Sequence, residues 1–249
     1  MAGLLVAFPS FRTRGDYLAI VTIAAAEIVR LLLLSTTWIE TTGSADGLVA
    51  YANDFRDINP FPNGDYGFGP WSYTANQFWV LLFGLVVLAL SALLIWRLVN
   101  SPWGRVIKGI REDEDAVRSL GKNVFAYKMQ ALVVGGVIAG LGGALYVLPS
   151  SANPMLFATS LTFFVWTALL LGGAATIFGP LLGAVIFWVL QAFLGSILPA
   201  MAEVGLLGGL SSSQAGALRF VLVGILLVLI VVIRPQGIVG DKRELTFVK

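Results

Sequence analysis

The sequence predicts an all-α fold, a polytopic bundle of transmembrane helices, and three observations lead there. Apolar residues make up 57% of the 249-residue chain and charged residues 12%, with a mean hydropathy of +0.86, whereas soluble domains carry about 25% charged residues. Six stretches are mostly apolar over the roughly 20 residues a helix needs to cross a hydrocarbon core about 30 Å thick. Basic residues gather in alternate connections, as expected when Lys and Arg are retained on one side of a membrane.

The six spans run approximately from Tyr17 to Ser35, Phe78 to Val99, Met129 to Leu148, Leu161 to Phe178, Leu181 to Leu198 and Leu218 to Ile233. Ahead of them, Met1 to Phe8 is too short to span and lacks a positive start, so it is not read as a cleaved leader. Arg12 and Arg14 precede the first span. Arg97, Arg105, Lys108, Arg111, Arg118, Lys122 and Lys128 lie in or beside the connection at 100–128, and Arg234, Lys242, Arg243 and Lys249 follow the last span. Together these are thirteen of the sixteen basic residues. The connection at 36–76 sets only Arg56 against Glu40, Asp46, Asp54, Asp57 and Asp65, and the connection after the fifth span has only Glu203. Residues 1–240 therefore read as a membrane domain with 36–76 outside, 100–128 in the cytoplasm, and a cytoplasmic tail at 241–249. Both termini are cytoplasmic on this reading. Asn63-Gly64-Asp65 and Gly67-Phe68-Gly69-Pro70 read as turns in the outer connection, and Tyr17, Trp38, Trp71, Tyr73, Trp79 and Trp96 lie near span ends, where aromatic rings meet headgroups.

Inside the spans, small residues four apart let helix backbones approach. Gly136 and Gly140 have that spacing in the third span, and Gly172-Gly173 precede Gly179-Pro180 and Gly183 where the fourth span gives way to the fifth. Such glycines serve tight helix packing or let a helix unwind to offer backbone groups to a substrate. Glu27 and Arg30, three apart on one helical face, can pair. Intramembrane charge is costly and marks a protein interior or a water-filled path, although Arg30 is near enough to the outer end to reach the interface. Beyond this pair the spans read as free of charge.

The connection at 100–128 opens with Ser101-Pro102, a capping hydroxyl followed by proline at the first helical position, and Gly121 is placed to stop the helix. Trp103, Val106, Ile107, Ile110, Val117 and Leu120 form an apolar stripe around the run Arg111-Glu112-Asp113-Glu114-Asp115. Such a helix can lie on a membrane surface or insert into a partner's groove. Four consecutive acids disfavour anionic lipid and so favour the groove.

The inventory excludes much chemistry. With no Cys and no His, disulfides, thiolate and imidazole metal sites, cysteine nucleophiles and Ser/His/Asp catalysis are absent from this polypeptide. Glu27 is the only acid clearly within a span, so no carboxylate pair is available for acid and base work. No metal ligand set and no catalytic residue are assigned. A phosphate-binding Gly-Lys-Ser/Thr loop is missing, because Gly121-Lys122 is followed by Asn123. A net charge of +2 gives no reason to expect nucleic acid.

Three segments carry a resemblance. Gly15-Asp16-Tyr17-Leu18-Ala19-Ile20-Val21-Thr22 with Glu27-Ile28-Val29-Arg30-Leu31, then Ser101-Pro102-Trp103-Gly104-Arg105 with Ile110-Arg111-Glu112-Asp113-Glu114 and Ser119-Leu120-Gly121, and finally Arg234-Pro235-Gln236-Gly237-Ile238, resemble the branched-chain amino-acid ABC transporter permeases of the LivM type. The resemblance covers about Met1 to Gly240. Members of that family usually carry further N-terminal spans, with a Gly-rich segment, ahead of the position matching Gly15, and these are expected to be lacking here. It implies a multi-pass permease of the bacterial cytoplasmic (inner) membrane that imports branched-chain or other hydrophobic amino acids by alternating access. The chain itself would hold no cofactor, since ATP would be bound by two ABC ATPase subunits. A second permease subunit completing a heterodimer and an extracytoplasmic substrate-binding protein are the other implied partners. Gly104, Arg105, Ile107, Ile110, Arg111, Glu112, Glu114, Leu120 and Gly121 would form the contact with the ATPases, and Ile107, Ile110 and Val117 would enter their groove. Glu27, Arg30, Gly136, Gly140, Gly172 and Gly173 are the candidates for the translocation path. Related permeases handle urea or short amides, and a membrane scaffold without transport activity is the competing class.

Overall fold

The computed structural model describes residues 16–48, 51–68, 71–173, 176–205, 211–234 and 236–240. It is helical almost throughout, and it divides into two compact units, Met1–Thr159 and Ser160–Lys249.

The first unit begins with α1 (Asp16–Leu34). Its last two carbonyls are capped by hydroxyls, with Thr42 Oγ1 donating to Leu33 O at 2.9 Å and Ser44 Oγ to Leu34 O at 2.6 Å, which satisfies two of the groups a helix end leaves unpaired. The short helices α2 (Ile39–Thr42) and α3 (Asn53–Asp57) follow. The connection then forms an antiparallel hairpin of β1 (Asp65–Phe68) and β2 (Trp71–Thr74), with Asp65 opposite Thr74 and Phe68 opposite Trp71. Gly67 and Phe68 thus belong to a strand rather than a turn, because the aromatic residues at 66, 68, 71 and 73 favour paired extended backbone; the rest of that expected turn, 69–70, lies outside the described residues. An aromatic cluster of Phe55, Phe61, Tyr66, Phe78, Trp79 and Phe83 fastens the connection to the start of the next helix, and Trp79 Nε1 donates to Phe55 O at 3.3 Å.

That helix, α4 (Ala75–Asn100), starts at a capping box in which Gln77 N donates to Thr74 Oγ1 at 3.4 Å and Thr74 N to Gln77 Oε1 at 3.0 Å. Two shorter helices, α5 (Pro102–Glu112) and α6 (Glu114–Ser119), lead to α7 (Val124–Val147). Beyond α7, Leu48 and Ala152 form a backbone bridge and Asn153 Nδ2 donates to Ala45 O at 2.6 Å. The segments that follow α1 and α7 thus hydrogen-bond to each other.

The second unit consists of α8 (Thr159–Gly172), whose first residue belongs to the first unit, with α9 (Gly179–Glu203) and α10 (Ser212–Ile233). Phe187, Val223, Ala168 and Leu171 form its core, flanked by Phe164, Ala184 and Ile230. The buried face of α9 follows the four-residue helical repeat through Gly179, Gly183, Phe187 and Gln191.

Among the described residues, four helices are long and apolar enough to cross a membrane: Ala75–Asn100, Val124–Val147, Gly179–Glu203 and, within α10, Ser213–Ile230. The other two expected span positions are helical as well. The fourth, however, stops at Gly172 instead of Phe178, because Gly173 takes a φ of +114°, a conformation that suits glycine and ends the helix. Its 14 residues cover about 21 Å, well short of the hydrocarbon core.

Candidate functional site

The segment expected to meet a partner is a bent pair of helices. Ser101 Oγ accepts from Gly104 N at 3.4 Å and Pro102 occupies the first turn of α5. A side chain at Gly104 would lie 2.6 Å from Leu98 O, so only glycine permits the sharp corner between α4 and α5. The helix expected from Ser101 to Gly121 is interrupted at Asp113, whose carboxylate accepts from Ala116 N at 2.9 Å and begins α6 as its cap. Gly121, with φ at +74°, closes the segment. The corner is tied to α7 by Trp103 Nε1, which donates to Gln130 Oε1 at 2.8 Å, and by the Lys128–Glu114 ion pair. Arg118 reaches Glu114 at 2.9 Å and Asp115 at 3.2 Å.

This arrangement divides the expected contact residues. Arg105, Arg111, Glu112 and Gly121 are exposed and Glu114 is half-buried. Ile110 is turned into its own chain at 9% exposure, and Gly104 is buried. Ile110 therefore fixes the helix pair rather than reaching outward, and the apolar surface left for a groove comes from the half-buried Ile107 and Val117 and from Leu120, which is 78% exposed.

Glu27 and Arg30 do pair. Arg30 Nε donates to Glu27 Oε2 at 3.0 Å, Nη2 bonds Oε1, and Thr159 Oγ1 adds a third bond to Glu27 at 3.2 Å. The hydroxyl, 132 residues away in sequence, is a partner that spacing could not reveal. Gly136 and Gly140 have nothing within 4 Å of where a side chain would begin, whereas Gly143 meets the Phe157 ring at 3.4 Å. Among the described residues of their unit, the α7 glycines thus make no close backbone approach.

Gly172 and Gly173 stand at a junction of three backbones. A side chain at Gly172 would overlap the Gly179 carbonyl, one at Gly183 would overlap that of Ala168, and one at Gly237 would sit 2.6 Å from Leu170 O. Thr176 Oγ1 donates to Gly173 O at 3.1 Å and accepts from Gly179 N at 2.9 Å, closing the turn into α9. The segment after α10 then returns to α8: Ile238 N donates to Leu171 O at 2.9 Å and Val239 N to Gly172 O at 3.1 Å. Those are orphan carbonyls of a helix end, and the backbone N–H groups of Ile238 and Val239 satisfy them; Pro235 lies outside the described residues.

Sequence reasoning missed Arg219. With a sixth span drawn from Leu218, this residue fell at a margin. The helix in fact begins at Ser212, where Ser211 and Gln214 form a capping box, so Arg219 lies two turns inside it. The signal that could have revealed it was Ser211-x-x-Gln214 itself.

The comparisons with known proteins bear on the same segments. The family model described as branched-chain amino acid transport system / permease component matches residues 1–231. The chain belongs to that permease family. The "High-affinity branched-chain amino acid transport system permease protein LivM" of Salmonella typhimurium is 32% identical over 97% of the chain and 55% of its own length, and its Escherichia coli K12 counterpart is 31% identical over the same shares. The "Probable branched-chain amino acid transport permease protein LivM" of Methanocaldococcus jannaschii is 28% identical over 99% of the chain and 66% of its own length. The chain spans about half the length of the first two relatives. No solved structure matches it. Membership in the permease family agrees with a multi-pass membrane chain.

Proposed function

We propose that the chain is a membrane-spanning permease subunit of an ABC importer for branched-chain or other hydrophobic amino acids, placed in a bacterial cytoplasmic membrane with 36–76 outside and 100–128 inside. The match to the permease family along residues 1–231 carries this reading, and the charge asymmetry of the connections supports the orientation. Nucleotide is bound and hydrolysed by two ATPase subunits, a second permease subunit completes the path, and an extracytoplasmic protein delivers substrate; this chain holds no cofactor.

The α5–α6 pair transmits the movement. A corner pinned by Gly104 against the end of α4, braced on α7 through Trp103 and Glu114, moves as a lever when a partner closes on its exposed face. The spans then expose a substrate site to alternate sides. The spans have no need of many charges for an amino-acid zwitterion, because helix ends and unwound backbone present partial charge of both signs.

The test is uptake of radiolabelled leucine by proteoliposomes holding the chain with its cognate subunits. Leu120→Asp places an acid on the exposed end of the lever. We expect uptake to fall at least tenfold while ATP hydrolysis continues. Unchanged uptake would refute the lever, and absence of leucine uptake by the unaltered complex would refute the substrate reading.

A further inference from the structure

The second unit is not filled where the ends of α8 and α10 meet the segment returning from α10. A groove of about 210 Å³ opens there, walled by Leu171 of α8, by Leu229, Ile230, Ile233 and Arg234 at the end of α10, and by Gly237 and Ile238 beyond it. Backbone bonds set its frame. Gly237, at a φ of +75°, turns the chain back; its N–H donates to Arg234 O at 2.9 Å, and Ile238 N donates to Leu171 O at 2.9 Å.

The lining is apolar throughout, so Arg234 gives the wall its carbon stem and keeps its guanidinium outside. Arg234 is exposed, and among the described residues no acid pairs with it. Residues 160–240 contain one acid, Glu203. That residue ends α9, whose start at Gly179 packs on Gly173 beside the returning segment. The 25 residues of α9, about 37 Å of helix, therefore hold the acid away from Arg234.

The depth of the groove says what it faces. The 18-residue apolar stretch of α10 ends at Ile230, which puts Leu229 at the edge of the hydrocarbon and Arg234, about one turn further on, at the level of the headgroups. Leu229, Ile233 and Ile238 are 48%, 70% and 50% exposed, a wall suited to hydrocarbon. A neighbouring helix, about 10–12 Å across with its side chains, does not enter a groove of this size, whereas one acyl chain does. Apolar wall and unanswered cation lie in the order in which a phospholipid presents its chain and its phosphate. A zwitterionic headgroup brings its own cation beside the phosphate; an anionic one does not, and is the better match for a basic side chain.

We propose that this groove binds an anionic phospholipid of the cytoplasmic leaflet, with an acyl chain against Leu229, Ile233 and Ile238 and the phosphate paired with Arg234. The leaflet rests on the orientation read from the basic residues; the groove and its cation do not. Bound there, the lipid packs the returning segment onto the end of α8 and neutralises the charge that follows α10.

The experiment is native mass spectrometry of the complete transporter after equilibration with equal parts of phosphatidylglycerol and phosphatidylcholine, counting the lipids retained. The unaltered complex is expected to prefer phosphatidylglycerol by at least about fivefold. R234Q should bring that ratio within twofold of unity with the subunits still assembled, and R234K should keep it. L229W, which fills the groove and leaves the cation in place, should lower the phosphatidylglycerol retained at least threefold. R97Q, which removes an exposed cation from the last turn of α4, should change nothing. An unaltered ratio in R234Q, an equal fall in R97Q, or full retention by L229W overturns the proposal. Loss of assembly in L229W with an unaltered ratio in R234Q means that a side chain of another subunit fills the groove, and overturns it too. The chain has no cysteine, so labelling of R234C by an impermeant maleimide in vesicles of known sidedness tests the leaflet separately. Labelling from the outer face alone overturns the orientation and the leaflet assignment, whatever the lipid ratio.

Discussion

Replacing Gly183 by alanine tests the glycine junction through a magnitude the geometry supplies. The new methyl would overlap the Ala168 carbonyl and lie 2.6 Å from Gly172 N and 2.8 Å from its Cα, where ordinary contact begins at 3.4 Å. All three obstacles are backbone, so α8 and α9 must part by the better part of an ångström. Overpacking of this kind costs about 1–3 kcal/mol. The shift also strains the bonds from Ile238 N to Leu171 O and from Val239 N to Gly172 O, each contributing about 0.5–1.5 kcal/mol. Alanine's better helix propensity returns up to about 1 kcal/mol. The net expectation is a loss of about 2–4 kcal/mol. Reversible unfolding in mixed micelles of rising SDS fraction, followed by tryptophan fluorescence with Trp166 and Trp188 as reporters in the same unit, measures it. Gly224→Ala on α10 is the control, since nothing lies within 4 Å of its side-chain position; it should be neutral or gain up to about 1 kcal/mol. Equal midpoints for the two variants would refute the close approach of α8 and α9.

Three further outcomes follow from the rest of the structure. Asp113→Ala removes the cap that begins α6 and should cost about 1 kcal/mol, seen as faster hydrogen exchange at Ala116 and its neighbours with α5 unaffected. Gly104→Ala forces the α4–α5 corner open against the Leu98 carbonyl and should lower ATPase-subunit recovery on co-purification severalfold while membrane insertion is kept. Glu27→Gln and Arg30→Gln should each reduce the folded yield more than the double variant does, because each single change leaves an ionisable or polar partner unanswered in α1; additive losses in the two singles would exclude a working pair.

The fold class was legible because composition and charge asymmetry are properties of long windows, and a helix in lipid has few alternatives. Local caps were legible too: Ser101-Pro102 begins α5 as the spacing implies. Breaks within apolar or charged runs were harder to read. Hydropathy cannot see that Gly173 turns left-handed while the residues beyond it stay apolar, so α8 was read six residues too long. Asp113 looked like one acid in a run of four, yet its carboxylate is a cap that divides the run. Ile110 and Leu120 share an apolar stripe, and only packing reveals that one faces inward and the other outward. The Glu27–Arg30 pair was evident from its spacing. Its Thr159 partner was not, since it depends on where a distant helix begins, and Arg219 was placed at a margin because the cap at Ser211-x-x-Gln214 was passed over.

The central claim is that the α5–α6 pair is the cytoplasmic handle through which ATPase subunits move this chain. The chain has no cysteine, so Leu120→Cys introduces a single exposed thiol at the end of that handle. Cross-linking from this thiol to nearby amines in native membranes should give an adduct with an ATPase subunit whose yield changes when a non-hydrolysable nucleotide is added. A thiol that reacts only with an impermeant reagent on the outer face, or that yields no adduct although the subunits co-purify, would contradict the claim.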